Sequence, residues 1–153
     1  HEIQSIFCRF RRYPTTENGF KKALALFGQT GLGIVNADWV LIRIIHLNNL
    51  RTIKDHFECR KNSKLSVKGI SNKAIVANQA IDGYSIVASR MDNSLIMTVC
   101  VFPKKNLDEE EKILVQAITN QIEMLYLIFV SRQLHESYLN RKPIAPIQKK
   151  LAT

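Results

Sequence analysis

Two charged residues interrupt an otherwise apolar run, "DWVLIRIIHL" at residues 38–47, and they are the first candidates for chemistry. A charge inside such a segment must be paired, exposed or aimed at an anion, because burying it alone is costly. Alternation along a strand places Arg43 and His46 on opposite faces. Two readings of Arg43 stand. In one it meets a carboxylate or a sheet edge. In the other it joins Asn78, Tyr84, Thr98 and Cys100 in lining a cavity for a small anionic metabolite or nucleotide. His46, next to Asn48, reads as a strand-end histidine.

The stretch "GQTGLG" holds three of the six glycines and raises the question of phosphate binding. A phosphate loop follows a strand and opens a helix, so that backbone N–H groups point at the anion. Here a helical pattern comes first, a strand pattern follows, and no Lys-Ser/Thr pair closes the loop. The glycines then either cap a helix at Gly28 or form a small-residue stripe on a helix running to Ile34. In the second case Ala25, Gly28 and Gly31 let another backbone approach, with the long last helix as the expected neighbour.

Other residues give weaker chemical signals. Cys8, Cys59 and Cys100 are odd in number and form no CxxC pair, which argues against a disulfide framework and for a reducing, cytoplasmic setting. The four histidines make no HExxH arrangement, which argues against a first-row metal site; no tetrapyrrole motif is found either, and the cofactor is unknown. Ser85, Ser89 and Ser94 lack a nucleophile elbow, and Asp38, Asp55 and Asp82 read as turn or edge residues rather than paired carboxylates. The expectation is a protein that is not itself an enzyme.

These residues sit on elements whose boundaries follow from pattern. "TTENGFKKALALFG" carries Phe20, Ala23, Leu24 and Phe27 at helical spacing, with Thr15 or Thr16 to cap it. Residues 38–47 form a buried strand, Asn48 and Asn49 make a tight turn, and a second strand returns with Ile53, Phe57 and Cys59 alternating against Thr52, Lys54, His56 and Glu58. Ser71 caps a short helix through Gln79, and Asp82–Gly83 marks a turn. A second hairpin joins "YSIVASR" to "SLIMTVCVFP". On its later strand Leu95, Met97, Val99 and Val101 make an apolar row, whereas Ser94, Ile96, Thr98, Cys100 and Phe102 make a mixed row suited to a cavity wall. Asn106 and Glu109 suggest a capping box for a helix of about nine turns that meets no Gly or Pro before Pro143.

With 153 residues, 46% of them hydrophobic, the chain fits one domain with a single core. No run reaches the ~20 apolar residues of a membrane span. The sequence begins at His1 without a basic-then-apolar leader, the pattern of a fragment or a processed chain. The net charge of +9 gathers in "RFRRY", "RKNSKLSVK" and "NRKPIAPIQKK", while residues 107–140 are acidic. Such segments attract polyanions weakly, and a basic nucleic-acid-binding accessory domain is the alternative of a different class. An interaction scaffold with a collapsed pocket is a third.

The order helix, hairpin, short helix, hairpin, long helix predicts an α+β fold. It has an antiparallel sheet of about five to six strands, with the terminal helices on one face and the short helix and loop over the other. At this point "FKKALALFGQTGLGIVNADWVLIRIIHL", "GISNKAIVANQAI" and "SIVASRMDNSLIMTVCVFPKKNLDEEEKILVQAITNQIEMLY" resemble the opening helix and strand, the pocket segment and the closing hairpin and helix of a GAF domain. The resemblance spans about residues 17–135, and the chain divides into a lead-in (1–16), a domain (17–140) and a linker or tail (141–153). It implies a non-catalytic sensory domain of a larger signalling protein, such as a histidine kinase, in the cytoplasm or on the cytosolic side of a membrane-anchored sensor. An output domain would lie in the same polypeptide. Leu114, Ile118, Leu125 and Phe129, widened by Ala117, Met124, Leu127 and Ile128, make a stripe broader than one sheet face needs. Homodimerisation through Leu125, Ile128 and Phe129 is therefore expected.

Overall fold

The Thr16 hydroxyl accepts a hydrogen bond from the Gly19 N–H at 3.0 Å and starts helix α1, Glu17–Ile34. In this computed structural model residues 14–60, 70–90 and 93–141 are described. Strands β1 (Trp39–His46) and β2 (Arg51–Cys59) follow, then the one-turn helix α2 (Asn72–Val76), strands β3 (Ser85–Ala88) and β4 (Ile96–Phe102), and the 33-residue helix α3 (Glu109–Arg141). The fold is α+β, with an open antiparallel sheet in the order β2-β1-β4-β3. Among the described residues it has four strands rather than five or six.

Helices α1 and α3 lie side by side over one face of the sheet, α1 over β1 and β2, α3 over β4 and β3. The core between them runs through Val40, Ile42 and Ile44 of β1, Cys100 and Phe102 of β4, and Phe20, Phe27, Ile118 and Phe129 of the helices. Phe20 stacks on Phe129 with centroids 5.1 Å apart and meets Tyr126 edge-on, which locks the two helices together. The opposite face carries a second apolar cluster, in which Trp39, Leu41, Ile45, Val99 and Val101 are covered by Ile70 and Ile75. Both rows of β4 are therefore buried. The mixed row is the one turned to the helices, and the purely apolar row faces α2.

The glycines do not end α1. Helix α1 runs through Gly28 and Gly31 and stops at Ile34, where the Arg60 guanidinium caps the Leu32 carbonyl. A Cβ on Gly28 would stand 2.9 Å from Cβ of Glu58, and one on Gly31 3.5 Å from the Phe102 ring. The close approach is thus to the sheet, and chiefly to β2, not to the last helix.

Several local details differ from the pattern reading for identifiable reasons. In the β1–β2 turn the left-handed conformation falls on Leu50 (φ 58°), while the Asn49 carboxamide accepts from the Arg51 N–H. Pairing slips between Ile44 and Ile45, so that Ile44 faces Lys54 but Ile45 faces Thr52. The bulge turns Ile53 to the helix side, whereas Phe57 and Cys59 pack on the other face. Ser71 caps α2 as expected, but the helix ends at Val76 and Asn78 takes φ 56°. The capping box of α3 is formed by Asp108 and Glu111, whose side chains each accept from the other's backbone N–H at 2.8 and 2.9 Å.

The contact at Gly28 sets a test. Ala is favoured over Gly in a helix by about 1 kcal/mol. At Gly28 the clash with Glu58 outweighs this, so Gly28→Ala should destabilise the domain by roughly 1–2 kcal/mol. Gly31→Ala should instead be neutral or stabilising by up to about 1 kcal/mol. Urea unfolding of the two variants checks the opposite signs.

Candidate functional site

Arg43 is satisfied within the chain. Its Nε donates to Asp55 at 3.2 Å, and one terminal nitrogen donates to the Ile70 carbonyl at 2.8 Å and to the Asn72 side chain at 3.0 Å. Asn72 in turn donates to the Leu50 carbonyl and the Thr52 hydroxyl. This network fastens the start of α2 onto the β1–β2 hairpin. The first reading of Arg43, a charge met by a carboxylate, describes its geometry.

The remaining predicted site residues divide between the two faces. Thr98 and Cys100 lie on the helix side of β4, both buried, and the Thr98 hydroxyl has no hydrogen-bond partner among the described residues. Asn78 and Tyr84 lie on the α2 side and line a cleft of about 520 Å³ at the open edge of β3. Arg43, Thr98 and Cys100 do not line it. His46 stands at the end of β1, where its Nδ1 accepts from the Asn48 N–H.

The cleft has an apolar floor and basic rim. Ile75, Ile81 and Ile86 supply the floor, and its charged residues are Arg90, Lys105 and Lys112, with no carboxylate among those lining it. Each cation comes from a different element. Arg90 follows the end of β3. Lys105 belongs to the loop before α3, held beside the other end of β3 by the Ser85 hydroxyl donating to the Lys104 carbonyl at 2.5 Å. Lys112 is in the first turns of α3. Lys104 also pairs with Glu111 at 2.9 Å, which fixes the loop to the capping box. Sequence reasoning missed all three cleft cations, since each looks like a solvated surface residue. The signal that could have found them is the hairpin itself: Arg90 and Lys105 flank its two strands, and a basic residue beyond each end of one strand frames an edge.

Ser89 N–H donates to the Thr98 carbonyl at 2.8 Å, so alternation in the ladder turns the main-chain groups of Ile86 and Ala88 to the free edge, while their side chains pack on the α2-side cluster. Gln116 of α3 takes the Ala88 carbonyl at 2.8 Å and also donates to Asn120, whose carbonyl oxygen accepts from the Arg90 N–H at 2.9 Å. One turn on, the fully buried Glu123 carboxylate accepts from the Ser89 hydroxyl at 2.6 Å, the Thr98 N–H at 3.0 Å and the Asn93 amide at 2.8 Å. No described cation pairs with it. The far wall of the cleft is thus stitched to α3 through three consecutive turns.

Leu125 and Phe129 are buried inside the chain, Phe129 against Phe20, and Ile128 is half-buried. Helix α3 is also, by length and composition, apolar enough to cross a membrane, although its inner face is packed in the fold. Among the described residues no cluster of three or more His, Cys, Asp or Glu side chains could hold a metal ion. The segments "RFRRY" and "NRKPIAPIQKK", nearly all of "RKNSKLSVK", and Cys8 lie outside the described residues. No family model, no curated protein and no solved structure matches this chain.

Burial pushes the Cys100 thiol up from 9.0 to about 11, against a smaller opposing effect of the Thr119 hydroxyl that donates to its sulfur. The thiolate is the reactive form, so native Cys100 should resist iodoacetamide at pH 8 while half-buried Cys59 is labelled before it. The folded chain also keeps a proton that the unfolded chain releases above pH 9. Stability should therefore fall between about pH 9 and 11, and a Cys100→Ala variant should lose that part of the pH dependence. Peptide mapping after labelling and unfolding midpoints against pH check both.

Proposed function

We propose that this chain is a non-catalytic, GAF-like regulatory module that binds a small anion in the β3-edge cleft and passes the effect along α3 to an output domain in the same polypeptide. The observation that carries the reading is the cleft's charge. Arg90, Lys105 and Lys112, from three different elements, line it with no carboxylate among the lining residues, and Lys112 also pairs with Glu109 at 3.5 Å. An elongated ligand with more than one negative charge, a polycarboxylate or a diphosphate-bearing nucleotide, has the matching chemistry. Gln116 and Asn120 support the second half of the reading, because they belong to α3 and hold the cleft wall directly. A ligand that shifts the end of β3 must break or carry these bonds, so its binding free energy reaches the helix.

The order of elements, in which the chain resembles GAF domains, supports the regulatory class. The site assigned is nevertheless not the Arg43-centred cavity of the pattern reading. The rival of a different class, a nucleic-acid accessory domain, rests on basic segments outside the described residues.

Citrate, pyrophosphate and ADP are suitable probes. Each should raise the unfolding temperature by a few degrees at millimolar concentration, with an effect that salt weakens. Arg90→Ala combined with Lys105→Ala should abolish the shift, because both side chains are exposed and their removal leaves the core intact. An unchanged shift in that variant, or duplex DNA binding below ~1 μM with a steep salt slope, would overturn the assignment.

A further inference from the structure

Helix α3 has a second, outward face that the domain leaves open. Ile113, Ala117, Met124, Leu134 and Tyr138 lie on it, with Leu127, half-buried against the core, and Asn120 and Ser131 completing a series whose steps alternate between four and three residues. Ile113 is 66% exposed, Met124 44%, Leu134 66% and Tyr138 65%. This is a 3.5-residue repeat, kept over more than three heptads. A helix that only covers a sheet needs a 3.6-residue stripe on one side, which α3 already has in Val115, Ile118, Ile122, Leu125 and Phe129. A second stripe at the spacing of a supercoil seam calls for another helix with the same repeat.

We infer that the occupant is a second copy of this chain, packed in parallel along the outer face of α3. The inference rests on the regulatory reading above and names its partner. Three observations select a copy of the chain. The series from Ile113 to Tyr138 contains no formal charge, so two identical seams meet without repulsion. The last turns of α3, residues 131–140, are almost entirely exposed and still carry Leu134, Tyr138 and Leu139. Within them Gln133 donates to the Thr15 carbonyl at 3.4 Å and Ser137 is half-buried, and a partner running in the same direction covers the exposed apolar side chains along their length. Asn120 then supplies the single amide within the apolar part of the seam, the device that fixes register in paired helices. Its amide nitrogen makes no bond among the described residues and is free to donate across the pair, while its oxygen is held by Arg90 and Gln116. The seam is therefore one hydrogen bond away from the cleft. Leu125 and Phe129 belong to the inner stripe and take no part.

Sedimentation of the full chain at micromolar concentration should give a dimer. Met124→Cys and Leu134→Cys, each made separately, should both form disulfide-linked dimers under mild oxidation, mapped by mass spectrometry, whereas Glu136→Cys off the seam should not. An antiparallel pair can bring at most one of the two seam positions onto its own copy, so linkage at one alone would overturn the parallel arrangement. Met124→Glu combined with Leu134→Glu alters exposed positions and should give a monomer with an unchanged circular dichroism spectrum. A wild-type monomer, a double variant that remains dimeric, or a wild-type monomer that pellets with lipid vesicles would overturn the proposal. A dimer indifferent to citrate, pyrophosphate and ADP would remove the cleft reading and leave the seam standing.

Discussion

A carboxylate buried without a cation is tolerable only if the surrounding chain supplies donors to it, and Glu123 imposes that requirement on this fold. The donors come from the end of β3 (Ser89), the β3–β4 connection (Asn93) and the backbone of β4 (Thr98). Meeting them fixes the second hairpin against the middle of α3. Once it is fixed there, Asn120 and Gln116, on the preceding turns, come within reach of Arg90 N–H and the Ala88 carbonyl, and the edge of β3 is set at a defined distance from the helix. The cleft, its basic rim and its tie to the helix all follow from that placement.

The two faces of the sheet are held by different physics. On the helix side, aromatic and aliphatic packing around Phe20, Phe27, Phe102 and Phe129 does the work, and Gly28 allows α1 to settle onto β2. On the other side a thinner apolar layer is clamped by polar bonds, with Arg43 and Asn72 tying the start of α2 to the first hairpin. A charge within a buried strand thereby becomes a fastener. Its cost is offset because Asp55, a main-chain carbonyl and an amide all accept from it.

The order of helices and hairpins, the Thr16 and Ser71 caps and the breadth of the α3 stripe were legible in the sequence, because periods of 2 and 3.6 and capping side chains are local signals. The bulge at Ile53 was not, since it depends on register across two strands rather than on either strand alone. Nor was the sidedness of Thr98 and Cys100. Their polarity suggested a cavity wall, but Glu123 and Thr119 bring matching polar groups into the core from a helix more than fifteen residues away in sequence. The same limitation applies at the cleft: Arg90, Lys105 and Lys112 converge only once the hairpin and the loop before α3 have folded. The stripe on α3 was recognised as too broad, yet its division into an inner and an outer series needed the packing against Phe20.

The central claim is that Glu123 holds the cleft wall and α3 together as one unit. Native-state hydrogen exchange on a Glu123→Ala variant tests it most directly. Protection should fall sharply at Thr98, at Ser89 and Arg90 and through β3, and more mildly around Asn120. The β1–β2 ladder, whose described residues make no hydrogen bond to Glu123, should keep its order of protection. A uniform loss across all four strands, or a β3 edge as well protected as in the wild type, would contradict it.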